Sequence, residues 1–302
     1  MDLNKYQLKY KFHRRYLLSL KDLNDEEIAE LICLAREYKY KRVVQEQSSV
    51  LKNKYVLLIT KPRFPQTGIT FEIAVKELGG IPVVSAMNGE DIENRLADEY
   101  YVKALSTVGL SAIMVSTSKV SDTEMFEKTV NLPVINATND CSPCQALSAL
   151  LTIFEICQSF SGLKVTLVGN FKTEDNSLLY GLIKLGADVT LFPTKNGDPT
   201  KETIEYCSQY TDRKIVKDKA VALKGAEIVC IGSSENDESL NLNSDDLLVA
   251  SPVVKVLTPV PVDYKIADKS VFKKDETPIL KQAENLIHVY KSVLTSLAGK
   301  KI

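Results

Sequence analysis

Apolar residues fall in short continuous runs of strand length, and these alternate with stretches of helical spacing over most of the chain. Tyr55–Thr60 (YVLLIT) is the first clear run. Ile69, Phe71, Ile73, Ala74, Val75 and Leu78 then form a broad helical face, with Thr67 and Gly68 where that helix is expected to begin and Gly79–Gly80 where it is expected to end. Further strands are predicted at 81–85, 111–116 and 133–137, with helices at about 91–106 and 123–130 between them. Earlier, Asn24 or Asp25 is placed to cap a helix carrying Ile28, Leu31, Ile32 and Leu34 on one stripe. Residues 143–157 (PCQALSALLTIFEIC) predict an apolar helix connecting two halves. The alternation then repeats: strands at 164–169, 188–192, 227–231 and 255–257, helices at 175–185 and about 200–209, and a long final helix at about 276–298. That last helix carries Ile279, Leu286, Ile287, Val289, Tyr290 and Val293 among its apolar positions. Strands alternating with helices predict an α/β fold with a parallel sheet in each half.

The strand at 55–60, the loop after it and a helix amino terminus make an anion-binding corner, because the first N–H groups of a helix lack intrahelical partners. A dinucleotide would need G-x-G-x-x-G after a strand. The strand 164–169 is instead followed by Asn-Phe-Lys-Thr-Glu after Gly169, which disfavours a nicotinamide cofactor and an unrelated doubly wound nucleotide binder alike.

At 302 residues the chain is long enough for two domains. Its net charge of −1 gives no reason to expect nucleic acid or an anionic membrane as partner. No apolar run approaches the ~20 residues needed to cross a bilayer. The opening stretch MDLNKYQLKYKFHRRY lacks the apolar core of a secretory signal, so a cytoplasmic protein is expected. The six cysteines, Cys33, Cys141, Cys144, Cys157, Cys207 and Cys230, include one C-x-x-C, Cys141 to Cys144. With no second such pair and with His13 and His288 remote from it, zinc is not expected; a redox motif at a strand-to-helix turn is the competing reading.

Several frames together resemble the aspartate/ornithine carbamoyltransferase (transcarbamylase) family, closer to the ornithine type. They are Lys61-Pro62 followed by Thr70-Phe-Glu-Ile-Ala-Val-Lys-Glu-Leu-Gly-Gly80; Val134-Ile-Asn-Ala-Thr-Asn-Asp140 with Ser142-Pro-Cys-Gln-Ala-Leu147; Lys224-Gly-Ala-Glu-Ile-Val229; and Gln282-Ala-Glu-Asn-Leu-Ile-His288. The resemblance runs almost end to end. It implies two doubly wound parallel-sheet domains joined by helices: a carbamoyl-phosphate-binding-like domain over 1–146, an amino-acid-binding-like domain over 147–275, and a final helix, 276–302, packed back on the first. It also implies a homotrimer with the first domain at the interface, a small anionic or amino-acid-like ligand, and chemistry without metal or organic cofactor.

In such enzymes an amino-acid amine attacks the carbonyl carbon of carbamoyl phosphate and phosphate leaves, helped by positioning and by cationic groups. The resemblance carries those roles onto positions where this chain has other residues. The Ser-Thr-Arg-Thr-Arg loop is Phe64, Pro65, Gln66, Thr67 and Gly68, so both arginines are replaced. The arginine after the 111–116 strand is Ser116, the carbonyl-polarising histidine is Ser142, and Gln145 is retained. On the amino-acid side Asn176 is retained, His-Cys-Leu-Pro reads Thr258, Pro259, Val260 and Pro261, and the arginine of Glu-Asn-Arg is Leu286. Cys144 takes a position often occupied by cysteine in ornithine-type members.

A guanidinium makes a bidentate, charge-assisted clamp on phosphate, whereas Gln66 and Ser116 offer only neutral hydrogen bonds and Gly68 none. Losing about three charged contacts at ~1.5–3 kcal/mol each costs on the order of 6 kcal/mol, or ~10⁴-fold in affinity. Lys61 and Arg63 stand nearby as possible substitutes or as solvated surface charges. The expectation is therefore a pseudoenzyme, or a regulatory or assembly paralogue, with no confident catalytic residue. An enzyme of altered substrate, using Thr67, Gln145, Asn176 and the acidic run Glu235–Glu238, is the alternative.

Overall fold

The computed structural model describes residues 2–10, 12–60, 65–86, 98–116, 120–137, 142–172, 176–210, 214–232, 240–273 and 275–299; the side chains of 65, 66, 86 and 120–122 are outside the description. The chain divides into two compact units, one formed by Tyr6–Leu147 with Asn285–Ile302, the other by Met1–Lys5 with Ser148–Glu284.

The first unit is built on a five-stranded parallel sheet. Its strands are β1 (Tyr16–Leu17), β2 (Tyr55–Thr60), β3 (Ile81–Ala86), β4 (Leu110–Ser116) and β5 (Val134–Asn136), in the order β1-β5-β4-β2-β3. Its helices are α1 (Asp25–Val43), α2 (Pro65–Glu77), α3 (Glu99–Leu105) and α4 (Val120–Thr129), followed by α5 (Pro143–Cys157), which the division of the chain cuts at Leu147. β2 reads as a continuous apolar run because it is a central parallel strand covered on both faces: Val56, Leu58 and Ile59 are fully buried. Leu57, Ile59, Ile113, Val115, Phe126 and Val134 form one core cluster of this unit.

Local signals set the helix ends. Asn24, not Asp25, caps α1 through a reciprocal box: its Oδ1 accepts from Glu27 N at 2.8 Å, and Glu27 Oε2 accepts from Asn24 N at 2.9 Å. The helix expected to begin at Thr67 or Gly68 in fact begins at Pro65, because proline's fixed φ and missing N–H suit the first helical position. Gly79, at φ +78°, takes the left-handed turn that ends it, and Gly80 N donates back to Val75 O at 2.9 Å. Of the helix expected at 91–106, residues 91–97 lie outside the described residues; the rest is α3, capped by Asp98.

The second unit holds β6 (Lys164–Gly169), β7 (Asp188–Pro193), β8 (Ile228–Ile231) and β9 (Lys255–Leu257) in a four-stranded parallel sheet ordered β7-β6-β8-β9. Between and after these strands come α6 (Ser177–Leu185), α7 (Lys201–Cys207), α8 (Lys219–Leu223), a 3₁₀ turn at Asp245–Val249, α9 (Lys269–Lys273) and α10 (Thr277–Ala298). α10 crosses from this unit into the other at Asn285. Val168, Leu223, Val229, Ile231, Leu242 and Ile266 lie in its core. Among the described residues no helix is long and apolar enough to cross a membrane.

Candidate functional site

In a parallel α/β sheet, ligands bind beyond the carboxyl ends of the strands, where the helices that follow present their amino termini. In the first unit those ends are Thr60 of β2, Ser116 of β4 and Asn136 of β5. Thr60 and Ser116 are register partners, as are Val115 and Asn136, so the three residues close neighbouring strands of one sheet. All three side chains are buried. α2 follows β2 and α5 follows β5.

Ser116 is 1% exposed at the last position of β4. Ser142, also buried, acts as the cap of α5: its Oγ accepts from Gln145 N at 3.3 Å, and its carbonyl accepts from Ala146 N at 2.9 Å. Ser142 thus satisfies a helix terminus with both its hydroxyl and its carbonyl. Gln145 is half-buried in the first turn of α5, and Cys144 beside it is fully buried. Asn136 Nδ2 donates to Leu18 O at 2.8 Å, tying β5 to the chain just beyond β1.

Thr67 lies in the first turn of α2, half-buried, and its side chain shares a hydrogen bond with the hydroxyl of Tyr290 on α10. Tyr290 is 1% exposed. Burial raises its phenol pKa well above the usual range, the nearby Cys144 thiol raises it further, and the bond to Thr67 works in the opposite direction. Gly68 has open space around its Cα, and the backbone of Pro65 and Gln66 belongs to the helix. Phe64, Lys61, Arg63 and Cys141 lie outside the described residues, so the C-x-x-C pair is described only at Cys144. Leu286 is a buried apolar residue of α10 in this unit.

In the second unit Asn176 sits at the cap position of α6 but makes no side-chain cap. It turns inward, 6% exposed, and its Nδ2 donates to Phe171 O at 3.3 Å and to Thr203 Oγ1 at 3.5 Å. Tyr180 and Thr200 hydroxyls join the same Thr203 oxygen at 3.3 and 3.1 Å. Thr258 is buried, with its hydroxyl 3.4 Å from Pro259 O, and the Val260–Pro261 peptide is cis. Glu235–Glu238 lie outside the described residues. Among the described residues no three His, Cys, Asp or Glu side chains gather as a metal site would require.

The family model described as aspartate/ornithine carbamoyltransferase, carbamoyl-P binding domain, matches residues 15–155. The chain is 30% identical to an ornithine carbamoyltransferase of Methanosarcina acetivorans, over 94% of this chain and 99% of the relative. The chain belongs to the aspartate/ornithine carbamoyltransferase family. Within that family it is of the ornithine type. The ornithine carbamoyltransferase structure from Pyrococcus furiosus superposes with a TM-score of 0.86 at 25% identity, covering 95% of this chain and 98% of that one. Aspartate transcarbamoylase from Trypanosoma cruzi, at 17% identity, shares the fold with a TM-score of 0.80 over 97% of this chain and 98% of its own. The two parallel-sheet domains expected from the alternation of strands and helices are those of this carbamoyltransferase family.

Two features of the site carry no motif in the sequence. Tyr290 falls on an apolar helix face, where a hydroxyl signals a buried partner. Asn136 stands within the Val-Ile-Asn-Ala frame, and its polar side chain between buried strand residues was the available signal.

Proposed function

We propose that this chain is a transcarbamylase-family pseudoenzyme, a regulatory or assembly paralogue that carries out little carbamoyl transfer. The carrying observation is the set of residues at the carbamoyl-phosphate positions: Gln66, Gly68, Ser116 and Ser142 stand where the family resemblance implies three arginines and a histidine. Without those cations, a phosphate dianion and a developing oxyanion lose the charge that stabilises them. The geometry supports this reading, because Ser142 spends its hydroxyl on capping α5 and Asn176 spends its amide on Thr203 and Phe171. The protein is proposed to be cytoplasmic and a homotrimer assembled through its carbamoyl-phosphate-like domain, 1–146, with an amino-acid-binding-like domain over 147–275.

Calorimetric titration with carbamoyl phosphate, with inorganic phosphate as control, tests the proposal beside an ornithine carbamoylation assay. The expected result is no binding at millimolar concentration and no transfer. Binding at micromolar strength, or turnover at the level of an ornithine carbamoyltransferase, would overturn it and favour an enzyme of altered or retained substrate working through Thr67, Gln145 and Asn176. A sedimentation mass equal to one chain would overturn the trimer.

A further inference from the structure

The amino-terminal segment takes no part in the site, and the match to the family model begins at residue 15, beyond it. Its two ends are fixed in different units. The chain up to Lys5 belongs to the second unit, where Leu3 is 3% exposed and Asn4 Nδ2 donates to Gln158 O at 3.1 Å. From Tyr6 onward it belongs to the first unit. The chain also passes between the units at Leu147–Ser148 and at Glu284–Asn285, and those passages lie inside α5 and α10. At Lys5–Tyr6 no helix carries the chain across, so tertiary contacts on either side must hold it.

Glu30 of α1 holds the first-unit side. Its carboxylate is buried and accepts from Tyr10 N at 2.7 Å, Tyr6 Oη at 2.9 Å and Lys9 N at 3.0 Å. Two successive amides thus turn toward one carboxylate, with Tyr10 at φ +50°, a left-handed conformation that a bulky residue rarely adopts. Such a conformation persists only where its surroundings compel it. The carboxylate is equally dependent, since a buried charge without donors is costly. Segment and carboxylate are therefore stable together and not apart. Glu26 and Glu37 lie on the same face of α1 as Glu30 by helical spacing; Lys9 Nζ meets Glu26 at 2.6 Å and Tyr10 Oη donates to Glu37 at 2.7 Å. Those outer contacts are exposed and contribute little beside Glu30.

We propose that residues 2–10 form a clasp that ties the two units together, with Glu30 as its latch and Leu3 as its anchor. The clasp has almost no slack: Asn4 and Tyr6 are two residues apart and span at most ~7 Å of extended chain. While both ends hold, motion between the units is restrained at this point; releasing either end leaves only the passages through α5 and α10. The proposal does not depend on whether the chain transfers carbamoyl groups.

Amide hydrogen exchange on the full-length chain tests it, with Glu30→Ala opening one end and Leu3→Ala the other. Gly80→Ala, which crowds Val75 and Leu51 without touching the segment, is the control for a general loss of stability. All are compared in urea concentrations that match their global stabilities. Glu30→Ala is expected to speed exchange at residues 6–10 about tenfold, as hydrogen bonds to a charged group are lost. The clasp further requires both Glu30→Ala and Leu3→Ala to speed exchange at 143–149 and 282–288, around the two helical passages, beyond the level in Gly80→Ala. Exchange at those passages equal to the control in either variant overturns the proposal, because the segment then only decorates α1. Exchange of the Lys9 and Tyr10 amides in the unsubstituted chain at the rate of an unstructured peptide overturns it as well. Should Glu30→Ala fail to fold, Tyr6→Phe, which removes one donor to the same carboxylate, is read in the same way.

Discussion

His288 lies on α10 with its imidazole fully buried, and neither ring nitrogen has a hydrogen-bond partner among the described residues. Burial first, and then the positive charges of Lys291, Lys39 and Arg42, push its pKa down from 6.5 to about 3. Glu77 on α2 is taken by Lys291 at 2.7 Å and Arg42 at 3.3 Å, while Lys39 Nζ donates to Asn285 Oδ1 at 2.7 Å. The imidazole is therefore neutral in the fold and protonates near its ordinary pKa once the chain unfolds. Below about pH 6.5 the unfolded state binds the extra proton, so stability contributed at neutral pH is lost as pH falls from 6.5 toward 3. Each unit of pH in that window costs ~1.4 kcal/mol, which is ~2 kcal/mol at pH 5. His288→Leu removes the titration and the two unpartnered nitrogens together. Urea unfolding at about pH 7.5 and about pH 5 should show the variant as stable as the parent, or more so, at the higher pH, and losing ~2 kcal/mol less on acidification. Acidic side chains elsewhere titrate in both proteins and cancel in the comparison. Equal pH dependence in the two proteins would refute the reasoning and mean that the imidazole is solvated or paired in solution.

Glu30 is a buried carboxylate of α1 that accepts from Tyr10 N at 2.7 Å, Tyr6 Oη at 2.9 Å and Lys9 N at 3.0 Å; Glu30→Ala strands these donors and should cost ~3 kcal/mol, with faster amide exchange at residues 6–10. Lys291→Met breaks the pair with Glu77, whose carboxylate keeps Arg42 and is 30% exposed, so a loss of ~2 kcal/mol is expected from denaturant melts. Gly80→Ala places a Cβ 2.9 Å from Val75 Cγ1 and 3.1 Å from Leu51 Cβ and should destabilise by ~1–3 kcal/mol. Gly68→Ala meets nothing within 4 Å inside α2 and should stabilise by ~0.5–1 kcal/mol; the two alanine variants melting alike would contradict both estimates.

Much of the architecture was legible from spacing alone. Continuous apolar runs marked β2, β4, β6 and β8 because central parallel strands are covered on both faces. Elements too short to show a period were not legible. β1 is two residues in a polar stretch and exists through its pairing with β5, Tyr16 opposite Val134. α8 and α9, five residues each, lack the length for a helical stripe. α2 starts two residues before Thr67 because Pro65, with its fixed φ and no N–H to satisfy, is a favoured first helical residue, a signal stronger than the polar Thr67 and Gly68 behind it.

The sequence by itself determined the alternation of strands and helices, the apolar strand runs and the family frames. These are local facts, set by backbone preference, side-chain period and residue identity within a few positions. Only the tertiary structure decided which partner each buried polar group takes: Thr67 with Tyr290, Asn136 with Leu18, Asn176 with Thr203, and His288 with none among the described residues. The physical reason is desolvation. A polar atom removed from water is worth what its spatial neighbours make of it, and those neighbours come from segments far away along the chain.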